Sequence, residues 1–187
     1  MIFFTSDLHF NHDKEFLWAK RGYKSIGHMN QDLIQKWNAT VSEDDEVYLL
    51  GDVMLGDLNA GLDCLMQLKG HIHIIIGNHD TDRRVEFYNT CSNIEDVKYA
   101  DMIKERHWQF YLSHYPTMIA NFNDNKKLWN LCGHTHTTDA FEHYQFQAYN
   151  VCVDAHNGFP VSIEQIKQDI RNKRNEINGF NNSAWNS

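Results

Sequence analysis

No run in the 187 residues approaches the ~18 consecutive apolar residues that a membrane span requires. The opening residues, Met1-Ile2-Phe3-Phe4-Thr5-Ser6-Asp7, carry no basic segment and turn polar too early for a secretory signal. The four cysteines, at 64, 91, 132 and 152, lie far apart and form no Cys-x-x-Cys pair. They read as small buried hydrophobes in a reducing compartment, which points to the cytoplasm. Basic charge is also short: 17 Lys and Arg against 25 Asp and Glu leave a formal net charge of −8. Such a balance repels duplex nucleic acid unless a basic face is gathered locally. The densest basic stretch, Lys167 to Arg174, is diluted by Asp169 and followed by Glu176, and reads as a solvated helix face.

What remains is the composition of a folded globule, 42 % hydrophobic with five Trp, eight Tyr and eleven Phe. A chain of this length can bury roughly 70 % of its unfolded surface, enough to dispense with disulfides or a structural metal. Short apolar runs alternate with amphipathic segments, which predicts one α/β (α+β) domain over residues 1–187. Strands are expected at Ile2–Thr5, Glu46–Leu50, His71–Ile76, Trp108–Leu112, Leu128–Cys132 and Tyr149–Val153, and more weakly at Ile94–Tyr99. A helix between the first two strands carries Met29, Leu33, Ile34 and Trp37 on one face. A second carries Leu58, Leu62, Leu65 and Met66, with Asp57 to cap its start and Gly70 to end it. A third opens after Pro160, with Ser162 and Gln165 in capping-box spacing, and buries Ile163, Ile166 and Ile170. The tail, 178–187, is rich in Asn, Ser and Gly and predicts a weakly structured terminus, Trp185 excepted.

Histidine is the abundant polar residue, twelve in all, and its placement is informative. Five apolar runs each end abruptly in residues able to bind a metal. They lead into Asp7-Leu8-His9, Gly51-Asp52, Gly77-Asn78-His79-Asp80, His114 and Gly133-His134-Thr135-His136. In open α/β sheets ligands bind outside the carboxyl ends of the strands, where loops converge. Carboxylates, imidazoles and an amide, with no thiolate among them, suit divalent Mn, Fe, Zn or Ni. The candidates Asp7, His9, Asp52, Asn78, His114, His134 and His136 exceed what one ion takes and suit two. Two divalent cations against two carboxylates leave an acidic chain with one positive cavity, fitted to a phosphate.

This ordered set of motifs resembles the calcineurin-like metallophosphoesterase family, and within it a small bacterial and phage subgroup of uncharacterised phosphoesterases. The resemblance extends through Trp37-Asn38, Tyr48 to Asp52, Ser113-His114-Tyr115-Pro116, Val151-Cys152-Val153-Asp154 and Pro160-Val161-Ser162, and so covers roughly residues 1–166. It implies two packed mixed β-sheets flanked by helices, a metallophosphoesterase-type β-sandwich with the site at the strand ends. It implies Asp7, His9 and His136 on a first metal, Asn78, His114 and His134 on a second, and Asp52 bridging them. Manganese is the favoured ion. The resemblance further implies attack by a metal-bridging hydroxide, with His79 protonating the leaving-group oxygen or stabilising the transition state, and Asp80 orienting His79 by accepting its other N–H.

His12 and Arg83, with Asn78, are the candidates for substrate contact. His71 and His73 alternate with Ile72 and Ile74 and are expected to be structural. His28, His107, His143 and His156 default to surface or packing roles. The substrate is a phosphoester of a small molecule or nucleotide. A diester is favoured because the chain leaves little room for a cap over the site. Rim loops are expected at Asn121–Lys127 and Thr137–Gln147. The rival readings are a nuclease acting on single strands or ends, and a catalytically silent binding module.

Overall fold

The computed structural model describes residues 1–119 and 127–183. The rim segment 121–126 and Trp185 lie outside the described residues. The first sheet is built from β1 (Ile2–Thr5), β2 (Glu46–Leu49), β3 (His71–Ile75), β4 (Ile94–Lys98) and β9 (Val161–Ser162), in the order β4-β3-β2-β1-β9. Its strands are parallel except β9, which runs antiparallel to β1. The second sheet contains β5 (Asp101–Glu105), β6 (Trp108–Leu112), β7 (Leu128–Cys132) and β8 (Ala148–Asn150), in that order. Here β6, β7 and β8 are parallel and β5 is antiparallel to β6.

Side-chain alternation divides β1 between two cores. Phe3 joins Val47, Leu49, Ile72 and Ile74 against Met29, Leu33 and Trp37 of α2 (Ile26–Thr40) and Leu62 and Leu65 of α3 (Leu58–Leu65). Phe4 and Ile75 instead meet Phe110, Leu112, Trp129 and Tyr149 of the second sheet. The same cluster takes in Ile163, Ile166 and Ile170 of α5 (Ile163–Ser183). Each such buried side chain is worth roughly 1.5–3 kcal/mol relative to exposure. The two mixed sheets and their flanking helices form the expected sandwich.

Several local expectations hold and others shift. Asp57 caps α3 by accepting from Ala60 N at 2.9 Å, but the helix ends at Leu65 and Gly70 serves the turn beyond, at φ +90°. Ser162 accepts from Gln165 N at 3.2 Å as a cap, while Val161 and Ser162 also pair with β1, so they form a strand before the helix begins. Strand β8 ends at Asn150, because the chain then leaves its neighbour and bridges Cys152 to Ser6 across the sheets. The tail expected to be weak from 178 continues as α5 through Ser183.

The basic residues of α5 are a solvated face only in part: Arg171 is exposed and Lys173 half-buried, but two others are covered. Lys167 is buried against Glu105 and Glu164, and Arg174 lies over the rings of Trp129 and Trp108 at 5.3 and 5.9 Å. Arginine stems and guanidinium planes cover aromatic surface that the second sheet leaves open. All four cysteines are free and buried. Among the described residues no helix is long and apolar enough to cross a membrane.

Candidate metal centre

Strands β1, β2 and β3 of one sheet and β6 and β7 of the other deliver their carboxyl-end loops to a common rim. The sheets are tied there by the Ser6–Cys152 bridge and by a backbone donor at His134, while a donor at Gly133 joins the β6 and β7 loops of the second sheet. Gly133 N donates to His114 O at 2.9 Å, and His134 N donates to both carboxylate oxygens of Asp7. Gly133 is required at this approach. A Cβ on it would lie 2.1 Å from Ser6 Oγ and 2.3 Å from Asp7 Oδ2.

The seven candidate ligands fall into two groups that share one atom. In the first, His9 Nε2 lies 3.1 Å from His136 Nε2, and Asp7 Oδ1 lies 3.7 Å from His136 Nε2. In the second, His114 Nε2 lies 3.0 Å from Asn78 Oδ1 and 3.2 Å from His134 Nδ1. Asp52 Oδ2 stands between them, 3.6 Å from His9 Nε2 and 3.5 Å from His114 Nε2.

The donor chemistry of the second group fits a cation. His114 Nδ1 is 2.8 Å from Leu50 O, and a carbonyl only accepts, so that nitrogen carries the ring proton. His114 Nε2 is then a lone pair facing an amide oxygen and a carboxylate oxygen. Acceptors converge in this way when a positive ion lies among them.

Burial reinforces that reading. It lowers the His9 pKa from 6.5 to about 2, helped by the neighbouring His136 and by Arg21. Burial and then His114 lower His134, and burial and then His79 lower His12. Neutral imidazoles are the form that binds metal.

Five of the seven candidates occupy the left-handed backbone region: Asp7 (φ +60°), His9 (+51°), Asp52 (+54°), His134 (+74°) and His136 (+50°). Each such residue costs roughly 1–2 kcal/mol, which the surrounding ladder must offset.

Asp80 does something other than orient His79. Its carboxylate is buried and accepts from Gly77 N and Asp52 N, both at 2.8 Å, from Val53 N at 3.2 Å and from Tyr88 OH at 2.8 Å. It therefore fixes the β2 and β3 loops against each other. The His79 imidazole stands at the open side, with Nε2 3.9 Å from Asp52 Oδ2 and the side chain 42 % exposed. The backbone N–H of His79 donates to Asp52 Oδ1 at 2.9 Å.

Of the substrate candidates, His12 lies within 5.3 Å of the His9 ring, centroid to centroid. Arg83 is displaced. It lines a separate cleft with Gly56, Asp57 and Leu58, on a helix, α4 (Asp82–Tyr88), that follows the loop. Its neighbour Arg84 reaches back instead and donates to His79 O at 3.0 Å.

His71 pairs with Glu95, and His73 sits between Asp96 and Glu46, so both are structural as expected. His156 is likewise occupied, bonded to Asn150 O at 2.9 Å and stacked on Tyr149.

Two residues at the centre have roles that the sequence reading did not assign: Arg21, and Asp154, which stood in the matched run Val151 to Asp154. Asp154 accepts from His136 Nδ1 at 2.8 Å and from Arg21 Nε and Nη2 at 2.9 and 2.8 Å. Arg21 Nη2 also donates to Asp7 O at 2.8 Å. Burial alone would raise the Asp154 pKa, but the hydrogen bonds from His136 and Arg21 outweigh it and hold the carboxyl well below the usual range. The anion in turn keeps the His136 proton on Nδ1 and its lone pair on Nε2. Asp154→Asn is therefore expected to weaken divalent-ion affinity by about 10–100-fold, with Asp154→Glu recovering part of it. Titration with Mn²⁺ measures this, and an unchanged affinity in Asp154→Asn would refute the orienting role.

The depressed histidines also set an acid limit. His9 refuses a proton in the folded chain down to about pH 2, while the unfolded chain takes one near pH 6.5. Stability is thus constant above that pH and falls as the solution is acidified below it, by up to about 1.4 kcal/mol per pH unit for one such group. Thermal unfolding of chelator-treated protein at pH 8, 6.5 and 5 checks the sign. A midpoint that holds or rises between pH 6.5 and 5 contradicts it.

The model of the calcineurin-like phosphoesterase family matches residues 1–187. An uncharacterized protein of Methanocaldococcus jannaschii is 31 % identical over 175 residues, spanning 88 % of each chain. The gene 66 protein of Mycobacterium phage L5 is 26 % identical and spans 94 % of this chain and 96 % of its own. Among solved structures, a protein of unknown function from Aquifex aeolicus superposes with a TM-score of 0.70 at 22 % identity, over 90 % of this chain and 98 % of that one, which shows a shared fold. With a rim of acceptors gathered around Asp52 and a family model spanning its full length, the chain belongs to the calcineurin-like phosphoesterases, metal-dependent hydrolases that act on phosphoesters.

Proposed function

We propose that this chain is a dimetal phosphodiesterase, acting as one domain over residues 1–187 in the cytoplasm. The observation that carries the reading is Asp52 Oδ2, shared at 3.6 and 3.5 Å between the two imidazole groups. Asp7, His9 and His136 would hold one ion, and Asn78, His114 and His134 the other, with Asp52 available to both. Two divalent ions held there, manganese favoured, supply Lewis acidity to the phosphoryl oxygens and lower the pKa of the attacking water.

The remaining steps belong to the chain. His79, exposed beside Asp52 and fixed through its backbone, gives a proton to the departing oxygen. His12 and the Asn78 amide face the phosphate. Asp80 keeps the Asp52 and Gly77 backbones in register, and so holds the loops that carry the Asp52 carboxylate and His79. Nothing in the described chain forms a cap over the centre, which favours diesters with two substituents to accommodate. A strand-end nuclease is a narrower version of this reading. A silent binding module would not need the exposed His79 imidazole beside Asp52.

The test is a panel of bis-aryl and mono-aryl phosphates, nucleotides and short oligonucleotides run with Mn²⁺, Ni²⁺, Fe²⁺ and Zn²⁺. Diesters are expected to turn over fastest with Mn²⁺, and chelation to abolish turnover while leaving most secondary structure by circular dichroism. Absence of hydrolysis across the panel refutes the catalytic reading.

A further inference from the structure

A cavity of about 450 Å³ opens from the candidate metal centre toward α1 (Glu15–Trp18). His9, His12 and His79 line its inner end, and Phe16, Leu17 and Lys20 its outer end. That volume lies within the ~300–1,000 Å³ of small-molecule sites. We infer that the outer end is a subsite for the base of a nucleoside phosphate ester, with Phe16 as the stacking surface. This rests on the phosphodiesterase reading and names its substrate class.

Three observations converge on a planar ring joined to the phosphate by a polar linker. First, α1 is one short turn anchored by the buried Leu17, yet it presents Phe16 at 72 % exposure on the cavity wall. A single exposed apolar residue means little by itself. This one borders a cavity that ends at the metal ligands. Second, the rings form a graded series leading away from the centre: His9 to His12 at 5.3 Å, then His12 to Phe16 at 6.0 Å and perpendicular. The outer face of Phe16 meets no other described aromatic ring. A ligand phosphate at His9 therefore carries its substituent past His12 and onto that face. Third, Lys20 lines the same cavity and has no carboxylate partner among the described residues. Its ammonium favours a ligand with hydrogen-bond acceptors between the ring and the phosphate, as a ribose or a base provides. An aliphatic or cationic ester group meets neither feature. A nucleoside 5′-phosphate supplies ring, polar sugar linker and phosphate in the required order, and it is of a size that such a cavity admits.

The experiment measures competitive inhibition of the Mn²⁺-loaded enzyme by adenosine 5′-monophosphate and by methyl phosphate, and binding of the same two by calorimetry. The nucleotide is expected to bind at least about 10-fold more tightly than methyl phosphate, within the range of base–aromatic stacking. Phe16→Ala is expected to weaken the nucleotide by about 10-fold and methyl phosphate by less than 2-fold. Phe16→Trp is expected to restore the difference. A dinucleotide that shows the same dependence on Phe16 also supports the subsite, and tighter binding than the mononucleotide assigns it to strand ends. Equal affinities for nucleotide and methyl phosphate in the parent enzyme would overturn the proposal. So would a Phe16→Ala variant that leaves both affinities unchanged or weakens both alike. Failure of every ester to turn over would remove the catalytic reading alone, because calorimetry reads the subsite without turnover.

Discussion

Asp52→Asn is expected to retain at most one divalent ion per chain and to lose about 10²–10³-fold or more in turnover. The cause is the position of one oxygen. Asp52 Oδ2 stands within 3.6 Å of His9 Nε2 and 3.5 Å of His114 Nε2, so its negative charge screens two cations from each other. An amide keeps the shape and loses the charge. It also directs either a neutral oxygen or an N–H toward the ions, and the N–H repels them outright. The neighbouring variants are expected to differ in pattern. Asp7→Asn mainly empties the group formed with His9 and His136, and His114→Ala the group formed with Asn78 and His134. Metal analysis after dialysis against Mn²⁺ separates these cases. Two ions and full activity in Asp52→Asn would remove the bridge from this account.

His79→Ala is expected to keep both ions and to lose about 10²–10⁴-fold in rate on alkyl or nucleoside esters. A nitrophenyl ester is expected to lose far less. A general acid helps in proportion to the leaving group's need for a proton: a ribose alkoxide needs one, and a nitrophenolate is already stable. The structure makes this comparison clean. The His79 loop is held by its backbone, through the N–H to Asp52 Oδ1 at 2.9 Å and the carbonyl to Arg84 at 3.0 Å. Removing the imidazole leaves those bonds in place. His134→Ala, by contrast, is expected to damage both substrates alike, since both transition states use the same ion. Equal losses on the two leaving groups for His79→Ala would mean that the imidazole orders the phosphate and is not the acid.

The donor set was legible because each donor follows directly on an apolar run. A β-run ending in Asp-x-His or Gly-His-x-His announces both the strand and the residues at its end. What escaped was everything that depends on distance across the fold. Arg21 and Asp154 are 133 residues apart, and nothing local to Arg21 marks it as the partner of a carboxylate behind His136. Asp80 misled by adjacency. Its place beside His79 suggested a contact with that imidazole, but the turn carries the carboxylate inward to three backbone N–H groups and the Tyr88 hydroxyl.

The fold shows the same division. Strand β5 reads Asp-Met-Ile-Lys-Glu, too charged to signal a strand, and exists because β6 offers it a full antiparallel register. Strand β9 is two residues long and draws its identity from β1. The run Lys167 to Arg174 looked solvated because charge in a sequence carries no record of the tryptophans it will cover.

The spread of the donors along the chain has a consequence for how the protein is made. On the proposed assignment one group needs Asp7, His9 and His136, and the other needs Asn78, His114 and His134, so neither is complete until residues beyond His134 have left the ribosome. The parallel pairings that bring them together are themselves long-range and slow to form. An ion therefore cannot nucleate this fold as zinc nucleates a finger. It enters a finished rim. Which metal the protein carries is then decided after synthesis, by the ions that surround the folded chain.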